Sequence, residues 1–204
     1  MIAILCPLKK EWEIVRKNID NKEILLEVGG HGKVNFAIKA TELLLREPRI
    51  KTLICLGAGG SLSSEVSPFD VVVAEKTIEH DYCEMFSSPG NLPQVKGDQF
   101  LLNKTETCVN ENFLIHRGII ASGDEDIISS ERAQQIVEKT QAIAVAWEGI
   151  GGAKACREYE RSFIEIRGIT DNCSGSVSQD FLENLKKAME NATSVVNEII
   201  KDLN

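Results

Sequence analysis

Short apolar runs alternate with amphipathic stretches along the whole chain, as strands and helices do when they take turns. The apolar runs predict strands at Ile2–Cys6, Ile24–Val28, Thr52–Leu56, Val71–Val73 running on towards Ile78, Gly118–Ala121, Ile143–Ala146 and Phe163–Ile169. The amphipathic stretches predict helices over Lys9–Asn18, Lys33–Arg46, Glu131–Lys139, Gly149–Tyr159 and Gln179–Leu203. The second helix is the clearest, with Val34, Ile38, Thr41 and Leu45 spaced to form one buried face. Ser129 or Ser130 is placed to cap the helix that begins near Glu131. Ser87–Gly97, rich in Pro, Gly and Ser, reads as a loop. This alternation is the α/β signature. No repeat, low-complexity tract or linker interrupts it, so one domain over residues 1–204 is expected.

Composition narrows the picture slightly. With 204 residues, 43% hydrophobic and 26% charged, the chain is long and apolar enough for a real core. A net charge of −8 argues against nucleic acid as the main partner. No apolar run approaches the ~20 residues of a membrane span, so no membrane partner is expected. Met1-Ile-Ala-Ile-Leu-Cys6 reads as a first strand and lacks the basic leader of a secretory signal. The six cysteines are scattered without a C-x-x-C pair, and His31, His80 and His116 share no ligand spacing. A reduced, cytoplasmic protein without metal or cofactor is the expectation, with Cys6 and Cys55 as small buried hydrophobes.

Candidate chemistry gathers at the ends of predicted strands, where α/β proteins bind ligands. Leu56-Gly57-Ala58-Gly59-Gly60 follows one strand but lacks the third glycine of a dinucleotide turn and the Lys-Ser/Thr of a P-loop. It reads as backbone open to close approach by a ligand at Ala58 and Gly59, or as a turn that the fold requires. Glu148 stands between a strand and the small-residue start of a helix, Gly149-Ile150-Gly151-Gly152. Glycines there cost helix stability, so something must approach that backbone. The carboxylate is suited to grip a ribose diol or to sit at a helix start. Asp171 ends the longest strand, suited to donate a proton to a leaving heterocycle or to cap the turn Asn172-Cys173-Ser174-Gly175. Glu11, just beyond the first strand, is unremarkable alone.

Taken together and in order, these segments resemble the purine nucleoside phosphorylase superfamily, most of all its 5′-methylthioadenosine/S-adenosylhomocysteine nucleosidases. Gly30-His31-Gly32-Lys33-Val34 is similar to that family's Gly-x-Gly-Lys-Val, and Leu56-Gly57-Ala58-Gly59-Gly60 to its Gly-Ser-Ala-Gly-Gly. His80-Asp81, Ser122-Gly123-Asp124, Val145-Ala146-Trp147-Glu148-Gly149 and Arg167-Gly168-Ile169-Thr170-Asp171 find counterparts in the same sequence order. The resemblance implies a three-layer α/β/α fold with a mixed central sheet, a small-molecule purine nucleoside as substrate, and a homodimer. It implies that Asp171 protonates the departing purine, Glu148 holds the ribose hydroxyls and Glu11 activates water. Trp147 would line the sugar, and Asp126 and Ile127 the base.

The chain departs from the family pattern at several places. Asp126 stands where an aromatic residue is expected, Ala58 replaces a serine, and Ala146 removes one carboxylate. The span Asn18–Gly30 is shorter than in the nucleosidases. Futalosine hydrolase, of the same superfamily, shares the short chain and a Glu-Ile-Arg run like Glu165-Ile166-Arg167, but tends to have Asn at the position of Asp171. Phosphorylases of the superfamily carry an arginine before the glycine-rich segment; Cys55-Leu56-Gly57-Ala58 has none, which favours hydrolysis over phosphorolysis. A phosphorylase, a futalosine hydrolase-like enzyme and a catalytically weak nucleoside-binding protein are the alternatives.

Overall fold

The computed structural model describes residues 1–21, 24–84 and 92–201. Its strands are β1 (Ile2–Cys6), β2 (Leu25–Val28), β3 (Thr52–Ser61), β4 (Val71–Glu79), β5 (Gln94–Lys96), β6 (Ile115–Ser122), β7 (Ala144–Ala146) and β8 (Ser162–Asp171). Its helices are α1 (Lys9–Asn18), α2 (Lys33–Arg46), α3 (Gln99–Lys104), α4 (Ser130–Thr140), α5 (Gly149–Glu158) and α6 (Val177–Ile200). All strands join one mixed sheet. β1 lies between β2 and β3, parallel to both. β3 runs parallel to β8, and β8 antiparallel to β4. β4 pairs with β6, β6 with β7, and β7 returns antiparallel to the end of β3. Five strands therefore close a ring, and β1 and β2 extend it as a wing.

Side chains alternate across the wing as the period of a strand requires. Ile4, Cys6, Ile54, Leu56, Ile164 and Ile166 face one way, onto α1 and α6 through Val15, Met189, Val196 and Ile199. Ala3, Leu5, Leu53, Cys55 and Phe163 face the other, onto α2 and α5 through Phe36, Ala40, Leu43 and Cys156. These are the three layers expected, with Cys6 and Cys55 buried in them. Ser129 caps α4, accepting from the Arg132 amide at 3.2 Å.

Three expectations need correcting. The face of α2 that packs inward is Phe36, Ala40, Leu43 and Leu44, whereas Val34, Ile38 and Leu45 are 66%, 63% and 60% exposed. This helix is apolar on two sides, and Gly29 and Gly152 leave the space that the Phe36 ring fills. The glycine-rich segment is not a turn: Gly57–Gly60 continue β3, paired with β8 across a register shift between Gly59 and Gly60. Gln94–Lys96 is an edge strand on β4 without an apolar run to announce it; the rest of the expected loop, 87–91, lies outside the described residues. The short α3, capped by Asp98 through the Leu101 amide at 2.9 Å, was not foreseen. The expected end of the last helix, at Leu203, also falls outside the described residues.

Candidate active site

A cavity of about 450 Å³ opens where β3, β7 and β8 end beside the starts of α1, α5 and α6. Glu11, Ala58, Gly59, Asp126, Ile127, Trp147, Glu148 and Asp171 all line it. The candidate catalytic and substrate-binding residues thus converge on one place, though they come from five separate segments. His31 and Arg167 join them, and Phe181 and Leu182 of α6 form part of the wall.

Glu11 is delivered by the first turn of α1 and is 2% exposed. One carboxylate oxygen accepts the Leu8 amide at 2.7 Å and the other the Ala58 amide at 2.8 Å. Burial, then the nearby charge of Glu148, push its carboxyl up from 4.5 to about 7, against those two amides and Arg167. A carboxyl poised there exchanges protons readily near neutral pH.

Glu148 sits at the N-cap of α5 and turns its side chain away from the helix. Oε1 lies 3.0 Å from His31 Nδ1 and accepts the Gly32 amide at 3.3 Å, while Oε2 accepts from Arg167 at 3.2 Å. Burial alone would raise this carboxyl, but His31, Arg167 and the Gly32 amide outweigh it and hold it below the usual range. The glycines that follow leave room for protein atoms. A Cβ on Gly149 would stand 1.9 Å from Glu165 Oε2, and one on Gly151 2.2 Å from the Lys33 carbonyl oxygen.

Asp171 ends β8 just past a register shift between Gly59 and Gly60 of β3. It both faces the cavity and caps the turn, accepting the Cys173 amide at 3.0 Å and the Thr170 hydroxyl at 2.8 Å. Burial raises its carboxyl despite these donors, which favours the protonated form that an acid needs. Trp147 stacks on His31 with ring centroids 4.2 Å apart. Asp126 is exposed at the cavity edge and Ile127 is buried beside it.

Sequence reasoning did not find the hub of the site. Arg167 is 1% exposed and binds Glu165 at 2.8 Å, Glu148 at 3.2 Å and the Ala58 carbonyl at 3.1 Å. Glu165 in turn accepts the Thr77 hydroxyl at 2.6 Å. The signal was an ion pair inside the apolar run Phe163–Ile169, since charges in a buried strand must find partners. Gly57 makes space for this hub: a Cβ there would meet Arg167 Nη1 at 2.6 Å.

A second network ties the rim together. The Lys33 amide donates to Asp124 at 2.8 Å, and its ammonium to Asp81 at 2.6 Å and Glu79 at 2.9 Å. The Asp124 amide closes the circuit on Asp81 at 3.0 Å. Among the described residues, no group of three or more His, Cys, Asp or Glu side chains is arranged to hold a metal ion.

With this geometry established, comparison with known proteins is informative. The family model of the Phosphorylase superfamily matches residues 6–201. The 5′-methylthioadenosine/S-adenosylhomocysteine nucleosidase of Staphylococcus haemolyticus is 32% identical, over 92% of this chain and 86% of its own. Among solved structures, the nucleosidase of the same description from Neisseria meningitidis, in complex with methylthio-immucillin-A, is 26% identical. It superposes with a TM-score of 0.85 over 98% of both chains. Futalosine hydrolase of Helicobacter pylori, 22% identical, shares the fold with a TM-score of 0.88 over 98% of this chain and 97% of its own.

Proposed function

The chain belongs to the phosphorylase superfamily, and within it we propose that the protein hydrolyses the N-ribosidic bond of an adenosine-type purine nucleoside, such as 5′-methylthioadenosine or S-adenosylhomocysteine. The observation that carries this reading is the delivery of Glu11, Glu148 and Asp171 by three different elements to one cavity, with Glu148 held below its ordinary value and Glu11 and Asp171 raised above theirs.

Each carboxyl has a distinct task. Glu148, held ionised, accepts the ribose hydroxyls and stays close to the positive charge that develops on the sugar. Asp171, raised by burial, donates its proton to the purine as the bond to C1′ breaks and its electron pair moves onto the base. Glu11 takes a proton from the water that attacks C1′. Ala58 and Gly59 offer backbone at the strand end, Trp147 lines the sugar, and Asp126 and Ile127 flank the base. Phosphorolysis would need a cation for phosphate. The arginine that lines this cavity is already committed to Glu165, Glu148 and a carbonyl, which supports water as the nucleophile.

The exposed stripe Val34, Ile38 and Leu45 on α2 supports assembly as a homodimer, which light scattering with a Leu45→Glu variant would test. No helix of the described residues is long and apolar enough to cross a membrane. All six cysteines are unpaired, as suits the cytoplasm. The direct test of function is a nucleoside panel with and without phosphate. Free base and free sugar in both conditions are expected; a sugar 1-phosphate product would overturn hydrolysis, and no cleavage of any purine nucleoside would overturn catalysis.

A further inference from the structure

His31 reaches the cavity from the turn before α2 and makes contacts that none of the roles above uses. Its Nδ1 lies 3.0 Å from Glu148 Oε1, the same oxygen that accepts the Gly32 amide at 3.3 Å. The other oxygen accepts from Arg167 at 3.2 Å. The imidazole rests on the Trp147 ring, 27° from parallel. A carboxylate offers about four lone-pair positions, and protein donors fill three. A vicinal diol brings two further donors, one more than the positions left open. The Gly32 amide is fixed by the backbone, and Arg167 by full burial. His31, with its side chain 53% exposed, is the donor that can swing out without unpacking the core.

We propose that His31 is a specificity-determining residue, which holds a position on Glu148 that one ribose hydroxyl requires and must be released before a vicinal diol binds. This rests on Glu148 being the diol acceptor. A 2′-deoxynucleoside presents a single hydroxyl there and leaves His31 in place, so the imidazole penalises ribonucleosides selectively. The penalty grows when the ring is protonated. Its hydrogen bond to Glu148 favours the imidazolium, as do the charges of Glu148, Asp126 and Glu11, against burial. KM for a ribonucleoside therefore rises as pH falls through the raised imidazole value.

The test measures kcat and KM for 5′-methylthioadenosine and its 2′-deoxy counterpart from pH 6 to pH 8, in wild type, His31→Ala and His31→Asn. His31→Ala is expected to lower KM for the ribonucleoside about twofold to fivefold, the worth of a half-exposed ion pair. It should leave the deoxy KM unchanged and abolish the rise of KM at acid pH. His31→Asn keeps a donor near the Nδ1 position without a titrating ring. It should hold the wild-type KM at pH 8 and lose the rise at pH 6. A higher ribonucleoside KM in His31→Ala, no change, or an equal change for both sugars overturns the proposal. Glu148→Gln on the same pair separates the two possible failures. Equal losses on both sugars remove the diol reading itself, whereas selective ribonucleoside loss with His31→Ala silent removes only the role of His31.

Discussion

Replacing Glu11 with Gln should slow catalysis sharply and at the same time make the stability difference from wild type depend on pH. In the folded protein this carboxyl titrates near 7, against about 4.5 when exposed. Between those values the folded state binds more protons than the unfolded state. The stability tied to Glu11 is therefore full below about pH 4.5 and is lost as pH rises through 7. At about 1.4 kcal/mol per pH unit, the loss over that window is roughly 3 kcal/mol. Glutamine carries no charge and escapes it. Its oxygen satisfies one of the amides of Leu8 and Ala58, but its NH2 faces the other, at a cost of about 1–3 kcal/mol. The variant should be less stable than wild type at pH 5, and equal or more stable at pH 8 by up to about 2 kcal/mol. For a domain of this size the difference in Tm should swing by roughly 5–10 °C between the two. Thermal melts of both proteins across that range read it directly, and turnover should fall by about two to four orders of magnitude. A Tm difference that stays constant from pH 5 to pH 8 would refute the raised carboxyl, and with it the poised base.

Other substitutions probe the remaining parts. Asp171→Asn should bind substrate but turn over about two to four orders of magnitude more slowly; near wild-type turnover in a discontinuous base-release assay would remove the acid from this position. Arg167→Ala leaves Glu165 buried without its cation and Glu148 with only His31, and should cost about 3–5 kcal/mol in denaturant melts. Gly149→Ala drives a methyl into Glu165 and should destabilise by about 1–3 kcal/mol while impairing activity through the displaced Glu148. An alanine variant as stable as wild type would mean that the start of α5 shifts freely.

Most of this architecture was legible because it follows from period and burial. Ile2–Cys6, Lys9–Asn18 and Lys33–Arg46 were bounded correctly by apolar spacing and by polar residues at their ends. Glu148 and Asp171 were recognisable because a carboxylate at the end of a buried strand stands out. Glu11 was different: nothing local marks it, and it surfaced only through resemblance. What stayed hidden depends on contacts between distant segments. Which side of α2 packs inward was decided by two glycines far apart in sequence, Gly29 and Gly152. The glycines of β3 read as backbone open to a ligand, or as a turn, because their reason lies opposite, in Arg167 and Asp171. The glycines after Glu148 did signal close approach, but what approaches is Glu165, the Lys33 carbonyl and Phe36.

Lys33 has an effect beyond holding the rim in place. Its amide and ammonium join the turn that supplies Gly32 to Glu148 with the segment that leads from Asp124 to Asp126 and Ile127. The two halves of the cavity, one beside Glu148 and one beside Asp126 and Ile127, therefore share one hydrogen-bonded frame. Whatever settles one half in place also settles the other, so base and sugar should bind with positive coupling. On the proposed cleavage, the same coupling acts in reverse: departure of either product should weaken the hold on the other.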